Sequence, residues 1–225
     1  VTKTNKLLVF LFLLSVFLLS FLPVKDTDFG WHYRCGHDFL ESGKLCLENN
    51  YAYFLPDYQS HNPSFLYDFF LAFVYDRSGF FGVSIAGAIA ITLAAFIFLN
   101  LSEADLWQKF IAFYLIYFLS SAVFAYGLRS QIVTYLFFLL VLFLLHKART
   151  SDRRYLLFFP LLFLIWVNTH IGFFIGFLLI GILSLTADKK YVLKYVLPVF
   201  VLSLAATLIN PFGINVYYGI FGHAI

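Results

Sequence analysis

Within the stretch 25–34 the chain carries Lys25, Asp26, Asp28, His32 and Arg34, interleaved with Phe29, Trp31 and Tyr33. Two carboxylates two residues apart can do several things. One of them can act as a general base, taking the proton of an attacking hydroxyl. Paired oxygens also suit a hard divalent cation, Mg²⁺ or Mn²⁺. The plainer reading is one solvated acid beside one helix cap. As a cap, Asp28 would open a helix from Phe29 to about Ser42, ended by Gly43. On that helix Asp28 and His32 stand at i and i+4, so His32 is expected to pair with Asp28, with Cys35 at i+7. Zinc is the weaker reading, because no fourth ligand has a convincing spacing.

Further polar residues interrupt long apolar runs. Arg129 and Gln131 form one such break. Arg129 reads either as a cation snorkelling at a helix end or as a phosphate clamp, since a guanidinium offers bidentate hydrogen bonds to anionic oxygens. Asn168 and His170 read either as turn-formers or as groups that bind phosphate or an acceptor. Residues 210–213, opened by Asn210 and Pro211, read as a turn ending a span. The two cysteines, Cys35 and Cys46, are either a disulfide or two free thiols.

The elements that must position these groups follow from composition. The chain has 225 residues, 62% hydrophobic and 12% charged. A soluble globular domain carries about 25% charged residues. The apolar runs are long and unbroken rather than alternating, which excludes a transmembrane barrel. An all-α polytopic membrane protein is the class that fits, as a single transmembrane domain over 1–225. The net charge of +3 is explained by basic cytoplasmic loops, so no nucleic-acid partner is inferred. The chain begins on Val1, contains no Met and stops at Ile225 in what reads as a new helix, so a longer protein is expected.

Candidate spans are 7–23, 79–100, 107–126, 131–146, 155–170, 171–187 and 191–209. The first is read as an uncleaved signal-anchor, because no small-residue cleavage site follows it. Residues 63–76 are apolar but contain Asp68, and as a helix reach only about 21 Å. If this segment lies in the interface, the clusters Lys147–Arg154 and Lys189–Lys194 face the cytoplasm; if it spans, they face outward. The positive-inside rule selects the first arrangement, with 24–78 as a long outer loop and 79–225 as further spans. Phe65, Leu66, Phe69, Phe70 and Phe73 then form an interfacial stripe, with Asn62 and Pro63 opening the helix. Residues 155–187 contain no formal charge. One helix of that length would measure about 50 Å, so it must be a hairpin with its tip at Asn168–His170. All the polar breaks then reach one outer surface.

In this order the residues resemble the GT-C superfamily, membrane glycosyltransferases that use polyprenyl-phosphate-linked sugars, and most closely its protein-mannosyltransferase-like bacterial branch. The matching residues are Asp26, Asp28, Trp31, His32 and Gly36, then Arg129 and Gln131. Trp166, Asn168, His170 and Gly172 follow, then Asn210, Pro211 and Gly213. The chain departs from the family at Gly30 (a tryptophan there), Ser130 (a proline) and Ile171 (a glycine). It also lacks a His-Glu pair that relatives often carry where it has Pro63 and Ser64.

The resemblance implies a bundle of about seven transmembrane helices with a long helical first outer loop. It implies inverting sugar transfer to an acceptor hydroxyl on the outer face of a bacterial cytoplasmic membrane. Asp28 would be the general base, and Asp26 would orient it or share a divalent metal with it. His32, Arg34, Arg129, Gln131, Asn168 and His170 would bind substrate, with Arg129 and His170 at the phosphate. The competing reading is a non-catalytic protein that binds or moves a polyprenyl lipid. Transporters tend to place ionisable groups near the bilayer midplane, whereas here they gather at one surface, which favours surface chemistry.

Overall fold

The computed structural model describes residues 3–46 and 64–221, and over these the chain is all-α, with no strand. Helix α1 is Lys3–Ser20 and α2 is Phe29–Ser42, the latter ending at Gly43 in the left-handed region (φ 69°). Helix α3, Phe65–Leu99, is continuous except at Gly79, whose φ of 58° and ψ of −158° only glycine adopts readily. The expected boundary between a surface helix and a span is therefore a bend inside one element. The expected opening by Asn62 and Pro63 lies outside the described residues.

Next come α4 (Leu106–Leu119), the short α5 (Ser121–Phe124) and α6 (Ser130–Thr150). Asp105 caps α4, its carboxylate accepting from the N–H groups of Trp107 and Gln108 at 2.9 and 3.0 Å. A 3₁₀ turn, Arg153–Phe158, leads into α7 (Phe159–Val167), and α8 is Phe173–Ser184. The charge-free stretch thus folds as a hairpin, and its turn falls at Asn168–Gly172. Helix α9 (Lys189–Tyr191) continues through a π-helical turn, Val192–Val196, into α10 (Leu197–Ala206); α11 is Val216–Phe221. Helices α3 and α6 are long and apolar enough to cross a membrane.

Packing divides these elements into two bodies with a bridge. In one, α1 lies against the second part of α3 and against α4: Phe12 stacks on Phe110, ring centres 4.2 Å apart, within a cluster holding Ile91, Ala95 and Phe113. In the other, α6, α7, α8 and α10 surround Phe163, Trp166 and Phe173, with Phe163 and Phe177 stacked at 4.0 Å. Tyr67, Leu71, Val83 and Leu128 form the bridge.

The first part of α3 packs on α2 through Tyr67, Asp68, Leu71 and Ala72, all buried. Phe70 and Phe73 of the expected interfacial stripe point outward, exposed. The rest of that stripe does not face outward as expected: the rings of Phe65 and Phe69 meet Phe39 of α2 edge-on, at 4.9 and 6.0 Å, because the same helix also has to bury a face against α2.

Cys35 and Cys46 are disulfide-bonded, which decides between the two readings of the pair. The bond ties the chain after α2 back onto the helix across 11 positions. Closing a loop of that size stabilises by about 2–3 kcal/mol, mostly by restricting the unfolded chain. Cys35→Ser with Cys46→Ser should lower the melting temperature by roughly 5–10 °C. An unchanged melting curve would show that the bond contributes nothing to this fold.

Candidate functional site

Asp26 and Asp28 lie in the link between α1 and α2, and Arg129 is the residue just before α6. They meet although Arg129 is 101 residues beyond Asp28. Arg129 Nε is 3.1 Å from Asp26 Oδ1, and its Nη2 donates to Asp28 Oδ2 at 3.3 Å. The Nε contact is close but out of line for a hydrogen bond, so Arg129 holds Asp26 mainly by charge. The backbone fixes the meeting. Lys25 N–H donates to the carbonyl of Tyr126 at 3.0 Å, laying the link beside the turn before α6. The Tyr126 ring lies 5.0 Å from the guanidinium carbon.

The two carboxylates are not equivalent. The Asp26 side chain is 3% exposed and accepts the N–H of Asp28 at 3.3 Å; the Asp28 side chain is 48% exposed. Asp26 is thus closed off from solvent, whereas Asp28 keeps an open face. Asp28 occupies the N-cap position of α2, but its side chain makes no capping bond, because Arg129 competes successfully for it.

His32 does not pair with Asp28 as expected. Its Nδ1 lies 2.5 Å from Asp68 Oδ1 on α3, and both residues are buried, at 5% and 2% exposure. The i, i+4 reading failed because packing α2 on α3 brings the imidazole and the Asp68 carboxylate together away from water, where leaving either without a hydrogen bond is costly. Trp31 stacks on the imidazole at 3.7 Å, and Tyr67 meets it edge-on at 4.9 Å. The Tyr67 hydroxyl donates to the carbonyl of Leu128 at 3.2 Å. Further along the same helix pair, Asp76 accepts from Tyr33 at 2.9 Å and contacts His37 Nδ1 at 3.1 Å. Arg34 is paired with Asp38 one turn along α2, Nε to Oδ1 at 3.0 Å.

A second polar arm starts from α6. Gly172 N–H donates to His170 Nδ1 at 3.0 Å, and Thr134 Oγ1 is 2.6 Å from the same nitrogen. Trp166 Nε1 in turn donates to Thr134 Oγ1 at 3.2 Å. These partners assign the ring proton to Nε2. In this turn, outside both helices, burial pushes the His170 imidazole down to about 4, with the charge of His32 acting in the same direction. His170 is therefore a neutral donor at physiological pH.

Asn168 has another job. Its side-chain amide donates to the carbonyls of Leu164 at 2.8 Å and Ile209 at 3.0 Å, and its backbone carbonyl accepts from Leu66 N–H at 2.7 Å. It ties α7, the turn that follows α10 and the start of α3 together, so its amide nitrogen is committed to structure. Asn210 likewise closes its turn, donating to Thr207 and Gly213 and accepting from Phe212 N–H.

Gln131, Thr134 and His170 line one end of a cavity of about 630 Å³, otherwise walled by apolar side chains of α3, α4, α6 and α8. Sequence reasoning named Gln131 and His170 but missed Thr134. The signal was its i+3 spacing from Gln131, one face of α6. It also missed Asp68 as the partner of His32, which no spacing on α2 alone would reveal.

The expected Mg²⁺ or Mn²⁺ site does not fit this donor set. The inward oxygens of Asp26 and Asp28 are on a guanidinium, and among the described residues no three His, Cys, Asp or Glu side chains group as metal ligands. A cation there would have to displace Arg129. Asp26, Asp28 and Arg129 therefore come together as one cluster. His32–Asp68 stands beside Tyr67, His170–Thr134 lines the apolar cavity, and Asn168 serves the fold. No protein-family model matches this chain, and no curated protein or solved structure matches it either.

Proposed function

We propose that this chain is a GT-C-type glycosyltransferase with about seven transmembrane helices, its amino terminus cytoplasmic and its site on the outer face of a bacterial cytoplasmic membrane. The observation that carries the reading is Arg129 bridging Asp26 and Asp28 two positions before Gln131, which lines an apolar cavity. A polyprenyl-phosphate sugar has the matching parts: a long hydrocarbon tail for the cavity and an anionic head for the cation. Sidedness is supported by α6 itself, which separates Arg129 from the basic stretch at Lys147–Arg154 by about 30 Å. The many large apolar side chains exposed on α4, α8 and α10 would meet lipid.

In the proposed reaction an acceptor hydroxyl attacks the anomeric carbon, and Asp28 takes its proton. The bond from the sugar to the phosphate oxygen breaks, and polyprenyl phosphate leaves with the electron pair. Arg129, with His170 Nε2–H as a neutral donor, stabilises the charge developing on that phosphate. Binding the phosphate draws Arg129 away from Asp28, which frees the base only when donor is present. Asp26, buried, keeps the guanidinium in place.

Asp28→Asn retains size and loses the proton acceptor. Donor-dependent sugar transfer by the full-length protein should fall about 10²–10⁴-fold, with the fold intact by circular dichroism. Transfer at the wild-type rate would remove Asp28 as the base. The cavity alone also suits a non-catalytic binder of polyprenyl lipid; lipid binding without any sugar transfer would select that reading.

A further inference from the structure

At the far end of α6 from Arg129, His146 and Arg149 stand three residues apart on one face and open a second hollow of about 320 Å³. Leucines line the rest of it, Leu101, Leu142, Leu145 and Leu183. Leu101 and Leu142 also line the large apolar cavity, so the two spaces adjoin. Arg149 is held in place by one bond, Nη2 to the carbonyl of Leu183 at 2.8 Å. That fixes its direction while leaving further N–H donors of its fork available.

The local charge is positive. Lys147, Arg153 and Arg154 follow on the same stretch. Its acid, Asp152, is occupied as a cap accepting from Arg154 N–H at 2.8 Å, with Arg154 Nε 3.8 Å away. Arg153 is turned aside onto Tyr195. Arg149 and His146 are the pair aimed at the hollow.

The geometry points to an anionic phospholipid bound here, its phosphate between Arg149 and His146 and one acyl chain running past Leu101 and Leu142 into the inner part of the apolar cavity. The argument is charge complementarity joined to shape. An apolar channel with a basic mouth takes a molecule with hydrocarbon at one end and a permanent anion at the other. Basic pockets between membrane helices on the cytoplasmic side select such headgroups from the leaflet where anionic lipids are abundant. A zwitterionic lipid would bring a choline group to a cationic mouth and bind less well. This assignment rests on the membrane orientation proposed above, but not on catalysis.

Purified full-length protein, stripped of lipid, can be titrated with phosphatidylglycerol or phosphatidylcholine and read by native mass spectrometry. Phosphatidylglycerol should bind about tenfold more tightly, and Arg149→Gln, an exposed position that leaves the core intact, should reduce its affinity about five- to tenfold. Leu142→Trp, filling the channel, should weaken it by a similar factor while leaving the secondary structure unchanged. Equal binding of the two lipids, or an Arg149→Gln protein with wild-type affinity, overturns the site. Oleate competing as well as phosphatidylglycerol overturns the phosphate assignment. No sugar donor is present in this titration, so a protein inactive in transfer can still bind the lipid, and an active one can fail to.

Discussion

Arg129→Gln should destabilise the protein by about 3–5 kcal/mol and abolish any activity of the site. The reason lies in Asp26. Its side chain is 3% exposed, and Arg129 is the cation beside it. Removing the guanidinium leaves a buried carboxylate without a counter-charge, which costs more than the pair itself contributes. Asp28, at 48% exposure, would turn to water and lose little. In thermal unfolding the effect should appear as a fall of roughly 6–20 °C. Arg129→Lys should recover only part of it, because an ammonium cannot reach two carboxylates as a fork does. The decisive comparison is the double variant Arg129→Gln with Asp26→Asn. With both charges gone, most of the lost stability should return while the activity does not. If the double variant were as unstable as the single one, the pairing of Asp26 with Arg129 would not be what holds this link.

Gly36→Val should be nearly as damaging, by a different route. A Cβ at Gly36 would lie 2.0 Å from the carbonyl oxygen of Asp68 and 2.9 Å from the Cβ of Ala72. The first obstacle is backbone, so no rotamer change relieves it. Helix α2 would have to move off α3, and that opens the His32–Asp68 contact and the Asp76 contacts to Tyr33 and His37. Overpacking alone costs about 1–3 kcal/mol, and unpairing buried Asp68 adds to it. Gly30 on the same helix supplies the control. Nothing lies within 4 Å of a Cβ there, so Gly30→Ala should be neutral or stabilise by up to about 1 kcal/mol. Melting curves of the two variants should therefore differ widely. Similar curves would mean that α2 does not press on α3 at Gly36.

Much of the helical content could be read directly. The run from Phe29 to Ser42 with Gly43 after it and the reversal at Asn168–His170 follow from local chemistry, whereas the boundary expected before residue 79 proved to be a bend at Gly79 inside one helix. An apolar stretch must satisfy its backbone groups within itself, glycine alone takes a positive φ readily, and a charge-free run too long for one crossing has to turn back. These constraints act between residues a few positions apart, where a single chain can be read.

Partners were another matter. Asp28 looked like a cap and is instead bound to a residue 101 positions away; His32 looked like the partner of Asp28 and belongs to Asp68. Asn168 looked like a turn-former or a ligand group and turned out to tie three elements together. Each of these polar groups had several local partners of similar strength on offer. For His32 and Asn168 the winner was the contact that close packing dehydrates, where an unmade polar contact is costly; Asp28, still half exposed, was claimed by the guanidinium that buried Asp26 holds beside it. The amino-acid order therefore determined the helices, their breaks and the polar residues reaching one end of the bundle. Only the tertiary structure decided which of those residues face each other, because burial is a property of the assembled helices and of no segment alone.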